Sequence, residues 1–495
     1  MKNINKIFLL AFFIFSLAGC NDAIDIQQPG RLGAEQAFKT VSDLQLGLLS
    51  SYDQFDLTPQ IQFNALFTDE LSIGYDNGGQ GLSDGTYGFV LNSGSDAPVT
   101  FWNNYYDALN SVNRVIDAAT LITPDASEQS NYNNVLGQLY ALRAYAHFQL
   151  LSYFSTDYTD DSALAAILVD FVPTIDQNLP RSTNGEFYTL INTDLDQADA
   201  LLSTQASTTF VSKDFVTALR ARMAAYRQNY TAANTYASDL LAKYPIADQG
   251  QYIAMFQDTD NTEVIFKLTR SVGDNYDGQG TTGSAFAGGW AGANFAFISA
   301  TKDGSPYFEM GRSLFNMLDP TDVRYTVNID PSSVIDPNYD TNNDPVADIL
   351  VIRKYPGKSG QPLMNDLKVF RSSEMLLIKA EALTDANDLT GAASLIKKLR
   401  DARFGSAQPL PVYASKEEAF GAILDERRIE FCFEGQRYKD LKRLGARANR
   451  SVDRDPIDCA INGACSISDS DYRFTLPIPI IESDANPNVQ QNPGY

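Results

Sequence analysis

Histidine is almost missing from this chain: 495 residues contain one, His147. A metal centre built on several imidazoles is therefore excluded, and a Ser-His-Asp hydrolase would have only this residue to use. His147 stands beside Phe148 within a helical run, where a structural role is the expectation. Basic residues are also short, 38 Lys and Arg against 61 Asp and Glu, for a formal net charge of −23. Non-specific nucleic-acid binding draws on phosphate contacts from Lys and Arg, so no nucleic-acid partner is expected. No stretch approaches the roughly 20 apolar residues that a membrane-spanning helix needs. The longest apolar run, Ile7–Leu17, has eleven residues. Cysteine occurs four times, and Cys432, Cys459 and Cys465 have neither zinc-site spacing nor a nearby histidine, so no metal is expected there.

What is present begins at the N-terminus. Lys2 and Lys6 precede the apolar run, and Leu17-Ala18-Gly19-Cys20 follows it. That order is the logic of a secretory signal, with residues 1–19 removed. Leu-Ala-Gly-Cys resembles the lipobox of bacterial lipoproteins, in which the cysteine, here Cys20, receives a diacylglyceryl group and becomes the first residue. The body would then be held to a membrane by lipid alone. Loss of Lys2 and Lys6 leaves 36 bases against 61 acids, a formal charge of −25. Disulfides survive outside the cytoplasm, so Cys459 and Cys465 are expected to pair. They would close a short loop worth roughly 2 kcal/mol in the chain-entropy model. Cys432, between Phe431 and Phe433, reads as a buried free thiol.

Helical spacing dominates the rest. In 34–55 the apolar residues Ala37, Val41, Leu44, Leu48 and Tyr52 recur every three or four positions and make one face. Further helices are predicted over 98–121, 128–154, 185–203, 212–228, 231–243, 372–386, 389–403 and 416–434. Ala221 and Ala233 are twelve apart, as are Ala380 and Ala392. Small residues at that separation let two helices approach closely across a short turn, which is tetratricopeptide spacing. Short β-like runs are predicted at Val264–Leu268, Val323–Ile329 and Ile349–Tyr355. Between the helical blocks, 273–300 and 74–95 are rich in glycine and aromatics, and their aromatics argue against disorder. Gly278 to Gly283 spells a dinucleotide-loop string without the flanking strand and helix, so no nucleotide cofactor is expected. Asp340, Asn342 and Asp344 start like a calcium loop, but Pro345 and Val351 occupy the positions of its glycine and glutamate.

The C-terminal third resembles the SusD/RagB family, surface lipoproteins of nutrient uptake in Bacteroidota. The residues that carry the resemblance are Glu426-Arg427-Arg428-Ile429-Glu430-Phe431, Glu434-Gly435-Gln436-Arg437, Asp440-Leu441 and Arg443. Leu476-Pro477-Ile478-Pro479, Glu482, Asn486-Pro487-Asn488 and Gln491-Asn492-Pro493-Gly494-Tyr495 extend it. Trp102, Tyr106, Asn113 and Leu142-Arg143-Ala144 add upstream positions. Read physically, Glu426 and Glu430 share a helix face beside Arg427 and Arg428. Gly435 can take a left-handed conformation, and Arg437 with Asp440 restarts a helix, so this is an ion-pair corner joining two helices. The resemblance implies a mostly α fold, one SusD-like domain over 20–495. Four tetratricopeptide-like helix pairs would form its scaffold (about 31–245 and 372–445), with a ligand face of irregular segments and short strands (about 66–100 and 260–365). It implies a glycan-binding, non-catalytic lipoprotein, on the outer face of the outer membrane, delivering oligo- or polysaccharide to a SusC-type TonB-dependent transporter.

Sugar rings call for aromatic planes against their C–H faces and planar polar groups for their hydroxyls. Trp102, at helical spacing to Tyr105, Tyr106 and Leu109, reads as core. Trp290, within Gly288-Gly289-Trp290-Ala291-Gly292, is the leading candidate contact, followed by Tyr75, Asp76, Asn77 and Tyr87, then Phe286, Asn294 and Phe295. The resemblance places ligand contacts in these two regions but carries over no individual residue. Other readings stay open at this point. The ligand could be peptide, as in the RagB branch, or a partner protein alone on a helical-repeat scaffold. A surface glycosidase is also open, because sequence does not give the separation of a carboxylate pair.

Overall fold

Thr40, Thr183 and Asp248 each start a helix in the same way. The side chain accepts the N–H three residues on, and Asp43, Glu186 or Gln251 bonds back to the cap. The computed structural model describes residues 37–174, 176–274, 289–297, 304–342, 344–460 and 462–495. Its principal helices in chain order are α1 (Val41–Asp53), α2 (Thr58–Phe67), α3 (Asp96–Ala119), α4 (Gln129–Phe154), α5 (Asn184–Leu201), α6 (Lys213–Tyr226) and α7 (Tyr230–Leu241). They continue as α8 (Gln249–Phe256), α9 (Val323–Asn328), α10 (Ser372–Asp385), α11 (Leu389–Phe404), α12 (Lys416–Glu430) and α13 (Arg437–Ala448). The fold is mostly α, as the helical spacing predicts.

Successive helices pack on one another as pairs, α4 with α5, α6 with α7, α10 with α11, and α12 with α13, and α3 packs on α4 as well. The alanines twelve apart sit at two of these contacts. Ala221, Ala233, Ala380 and Ala392 are all 0% exposed, and a larger side chain there would push the helices apart. The strands are short and pair two by two, all antiparallel. β1 (Leu71–Ile73) pairs with β3 (Phe308–Met310), β2 (Val264–Leu268) with β4 (Leu367–Arg371), and β5 (Val452–Asp453) with β6 (Ser466–Ile467). One large apolar core draws on residues from Leu44 to Ile478 and takes in Trp102, which is buried.

Two sequence readings need correction. Val323–Ile329, predicted as β-like, is largely α9. The Asp322 carboxylate accepts the Arg324 N–H at 2.8 Å and turns the chain into a helix. Arg324 then reaches Glu426 at 2.6 Å, a tertiary contact that outweighs the β-propensity of Val, Tyr and Thr. Ile349–Tyr355 makes only isolated bridges, Ile349 to Val334 and Ile352 to Ile329.

The ion-pair corner is larger than its sequence motif. Glu430 meets Arg371 at 2.9 Å and Arg403 at 2.8 Å, and Arg403 also holds Glu263 at 2.7 Å. Arg427 pairs with Asp440 at 2.7 Å, Arg443 with Glu381 at 2.6 Å, and Arg437 with Asp69 at 2.8 Å. These groups are buried, and the network ties α2's end, α10, α11, α12 and α13 together. Phe433 and Gly435, at φ +62° and +75°, turn the chain between α12 and α13. His147 is fully buried. Burial first, then the Arg143 charge, pushes its imidazole down to about 3, so it is neutral and packs on Phe187. Cys432 is a buried free thiol, and Cys459 and Cys465 form a disulfide.

Candidate functional site

The loop after β1 is set by close backbone approach. Gly78, Gly79 and Gly81 have φ of +76°, +85° and +81°. A Cβ on Gly304 would stand 2.4 Å from the Asp76 carbonyl oxygen. The Asp76 N–H donates to Ser305 Oγ at 2.7 Å, and Asn77 Nδ2 donates to the Pro306 carbonyl at 3.2 Å. The loop is therefore seated on 304–307, with Asp76 exposed and Tyr75 and Asn77 half-buried. Tyr75 and Tyr87 both donate to the Asp458 carbonyl, at 3.3 and 3.0 Å. Tyr87 is buried, with the Arg454 guanidinium 3.8 Å from its ring centre, so its ring is committed to the interior.

The second candidate set has other partners. Trp290 is 8% exposed, and its indole N–H donates to the Ser271 carbonyl at 3.1 Å. Asn294 donates to the Thr58 carbonyl at 3.2 Å. Phe295 is buried against Tyr355 and Phe433. Arg270 joins this segment to α2, donating to the Gly289 carbonyl at 3.1 Å and meeting Asp56 at 2.8 Å. Phe286 and Cys20 lie outside the described residues.

Beside Trp290, through Ser271, opens a cavity of about 480 Å³, a size suited to a small ligand. Tyr52 and Phe210 form its aromatic corner, with ring centres 5.5 Å apart and planes at 81°. Phe210 is 44% exposed, so an apolar ring face is open to a ligand. Asp53, Asp274, Thr209 and Ser271 supply carboxylates and hydroxyls around it. Sequence reasoning passed over Tyr52, as part of a core face, and Phe210. The signal was a single aromatic closing the polar link Ser203 to Thr209, which has no glycine to mark it. Among the described residues, no three His, Cys, Asp or Glu gather as metal ligands.

A family profile described as "SusD family" matches residues 336–495, and one described as "Starch-binding associating with outer membrane" matches 80–226. SusD-like protein P38 of Formosa agariphila is 26% identical, over 100% of this chain and 99% of its own. A SusD superfamily protein of Bacteroides thetaiotaomicron shares the fold with a TM-score of 0.76 at 22% identity, over 92% of this chain and all of its own. A laminarin-binding SusD-like protein aligns with a TM-score of 0.66 at 19% identity, again over 92% and 100%. Two profiles, a full-length relative and the shared helix-pair fold agree: the chain belongs to the SusD/RagB family.

Proposed function

We propose that this protein is a non-catalytic glycan receptor of the outer membrane. Its signal peptide, residues 1–19, is removed, and lipid on Cys20 holds it at the cell surface. There it captures oligo- or polysaccharide and passes it to a SusC-type TonB-dependent transporter. The observation that carries the reading is the cavity beside Trp290, where an exposed aromatic face meets carboxylates and hydroxyls. A sugar ring needs that combination: Phe210 for its C–H face, Asp53 and Asp274 for its hydroxyls. The laminarin-binding relative of the same fold supports the ligand class. Function by capture also suits the histidine-poor chemistry, since binding needs no proton shuttle.

The test is isothermal titration of the soluble chain, residues 21–495, against panels of polysaccharides and peptides. Phe210→Ala is expected to weaken glycan binding about tenfold or more, the loss of one well-placed aromatic contact. Trp290→Ala, which removes the support behind Ser271, is expected to weaken it as well. Unchanged glycan binding in both variants would place the site elsewhere. New reducing ends after incubation with polysaccharide would make the protein a glycosidase. Binding of peptides alone would move it to peptide uptake.

A further inference from the structure

A second cavity, of about 360 Å³, lies on the helical scaffold against the first. Leu49 and Phe210 line both, so one wall separates them. Its lining differs in kind. Five side-chain amides, Gln45, Asn131, Asn134, Gln138 and Gln205, surround it with the hydroxyls of Ser203 and Ser207, and no charged side chain is among them. Leu48, Val135 and Val211 form an aliphatic floor.

Two of the amides are oriented by the protein itself. The Tyr52 hydroxyl accepts the Val211 N–H at 2.7 Å, so its own hydrogen goes to Gln138, also at 2.7 Å. That fixes the accepting atom as Gln138 Oε1 and leaves the Nε2 amino group as a donor. Gln138 is 6% exposed, and its amino group meets no acceptor among the described residues. Asn134 is oriented likewise: its Oδ1 accepts the Ser203 N–H at 3.3 Å. That amino group faces the cavity, where it can donate to a bound hydroxyl. Tyr52 is thus shared, its ring lining the first cavity and its hydroxyl setting an amide of the second.

We propose that this second cavity is a subsite for uncharged sugar rings, so that one neutral oligosaccharide spans both cavities across the Leu49–Phe210 wall. The proposal rests on the glycan-receptor reading and names its ligand class further. Uncharged amides and hydroxyls over an aliphatic floor match a neutral ring, which offers hydroxyls at its rim and C–H groups on its face. They give a uronate or sulfate no cation to pair with.

The test compares trisaccharides with hexasaccharides of the malto, laminari, cello, manno and xylo series by isothermal titration. A galacturonate hexamer and an uncharged hexapeptide serve as comparators. Two variants leave the first cavity's polar groups untouched: Gln45→Ala/Asn131→Ala/Gln205→Ala, which removes exposed amides, and Ala206→Trp, which fills the space. All four positions are exposed, and thermal melts check the fold. The wild type is expected to bind at least one neutral hexasaccharide about tenfold more tightly than its trisaccharide. Both variants should erase that gain while leaving the trisaccharide within about twofold. A gain that survives in both variants overturns the second subsite and leaves glycan capture standing. Binding of the galacturonate but of no neutral sugar overturns the neutral preference. Binding of no sugar, or of the peptide alone, overturns the glycan-receptor reading and this proposal with it.

Discussion

Glu430→Ala is expected to leave most of the chain unfolded or aggregated under conditions where the wild type is folded. Glu430 is 0% exposed. Its carboxylate receives Arg371 Nη1 at 2.9 Å, Arg403 Nη2 at 2.8 Å and Arg403 Nε at 3.0 Å, with Arg324 Nη1 at 3.5 Å. Removing one partner from a buried ionic group costs about 3–5 kcal/mol, because the remaining charges stay desolvated without compensation. Here three guanidiniums lose a shared partner, against a total stability of roughly 5–15 kcal/mol for an ordinary domain. The half-buried surface pair Lys397–Asp401 is the control: Lys397→Ala should cost less than about 1 kcal/mol. Urea unfolding followed by circular dichroism gives both numbers, and a Glu430→Ala midpoint close to the wild type would remove the network from its place as the fold's clamp. Acid should act in the same direction. Burial raises the Glu430 carboxyl, but Arg403 and Arg371 outweigh it and hold the group well below the usual range. Asp69, opposed by burial but paired by Arg428 and Arg437, lies at about 2. A lowered folded value means stability present above the ordinary carboxylate range, near pH 4, and lost as pH falls towards 2.

That clamp was legible in part. Glu426, Glu430, Arg427 and Arg437 stand close in sequence, and helical spacing alone puts the two glutamates on one face. Arg324, Arg371, Arg403 and Glu263 come from distant segments, and no local pattern marks them. Helices with one buried face, such as α1 and α4's first half, follow from periodicity. α2 does not, because Gln60, Ile61, Phe63, Asn64, Ala65, Leu66 and Phe67 are all buried and no polar stripe remains to reveal a period. Among the described glycines of those loops, Gly78 and Gly79 serve a positive φ, whereas Gly292 marks close contact of backbones. A Cβ on Gly292 would lie 2.6 Å from the Leu363 carbonyl oxygen. The cavity itself is assembled from the end of α1, the link before α6 and the segment after β2, so only tertiary structure brings Tyr52, Phe210 and Ser271 together.

Glu70→Gln is expected to stabilise the protein at alkaline pH and to change little at pH 5. Glu70 is 1% exposed and sits just before β1. Its neighbour Asp69 takes the ion pairs with Arg428 and Arg437, and among the described residues Glu70 forms none. Burial first, then the Asp69 charge, pushes the Glu70 carboxyl up to about 8, with Arg437, Arg428 and the Phe433 N–H pulling the other way. In the unfolded chain the same group loses its proton near 4.5. Between these values the folded state binds the extra proton, so stability falls as pH rises through the window and levels off above about 8. At about 1.4 kcal/mol per pH unit, the cost by pH 9 is on the order of 5 kcal/mol. Glutamine keeps the shape and removes the ionisation. Burial also raises Glu309 to about 7 and Asp458 to about 6, which adds decline of the same sign that the variant retains. Melting temperatures measured from pH 5 to 9 should therefore lie closest at the acid end, separate steadily up to about pH 8 and hold that gap above it, the variant higher. Parallel curves would mean that Glu70 is charged in the folded protein, compensated by groups that its position does not supply.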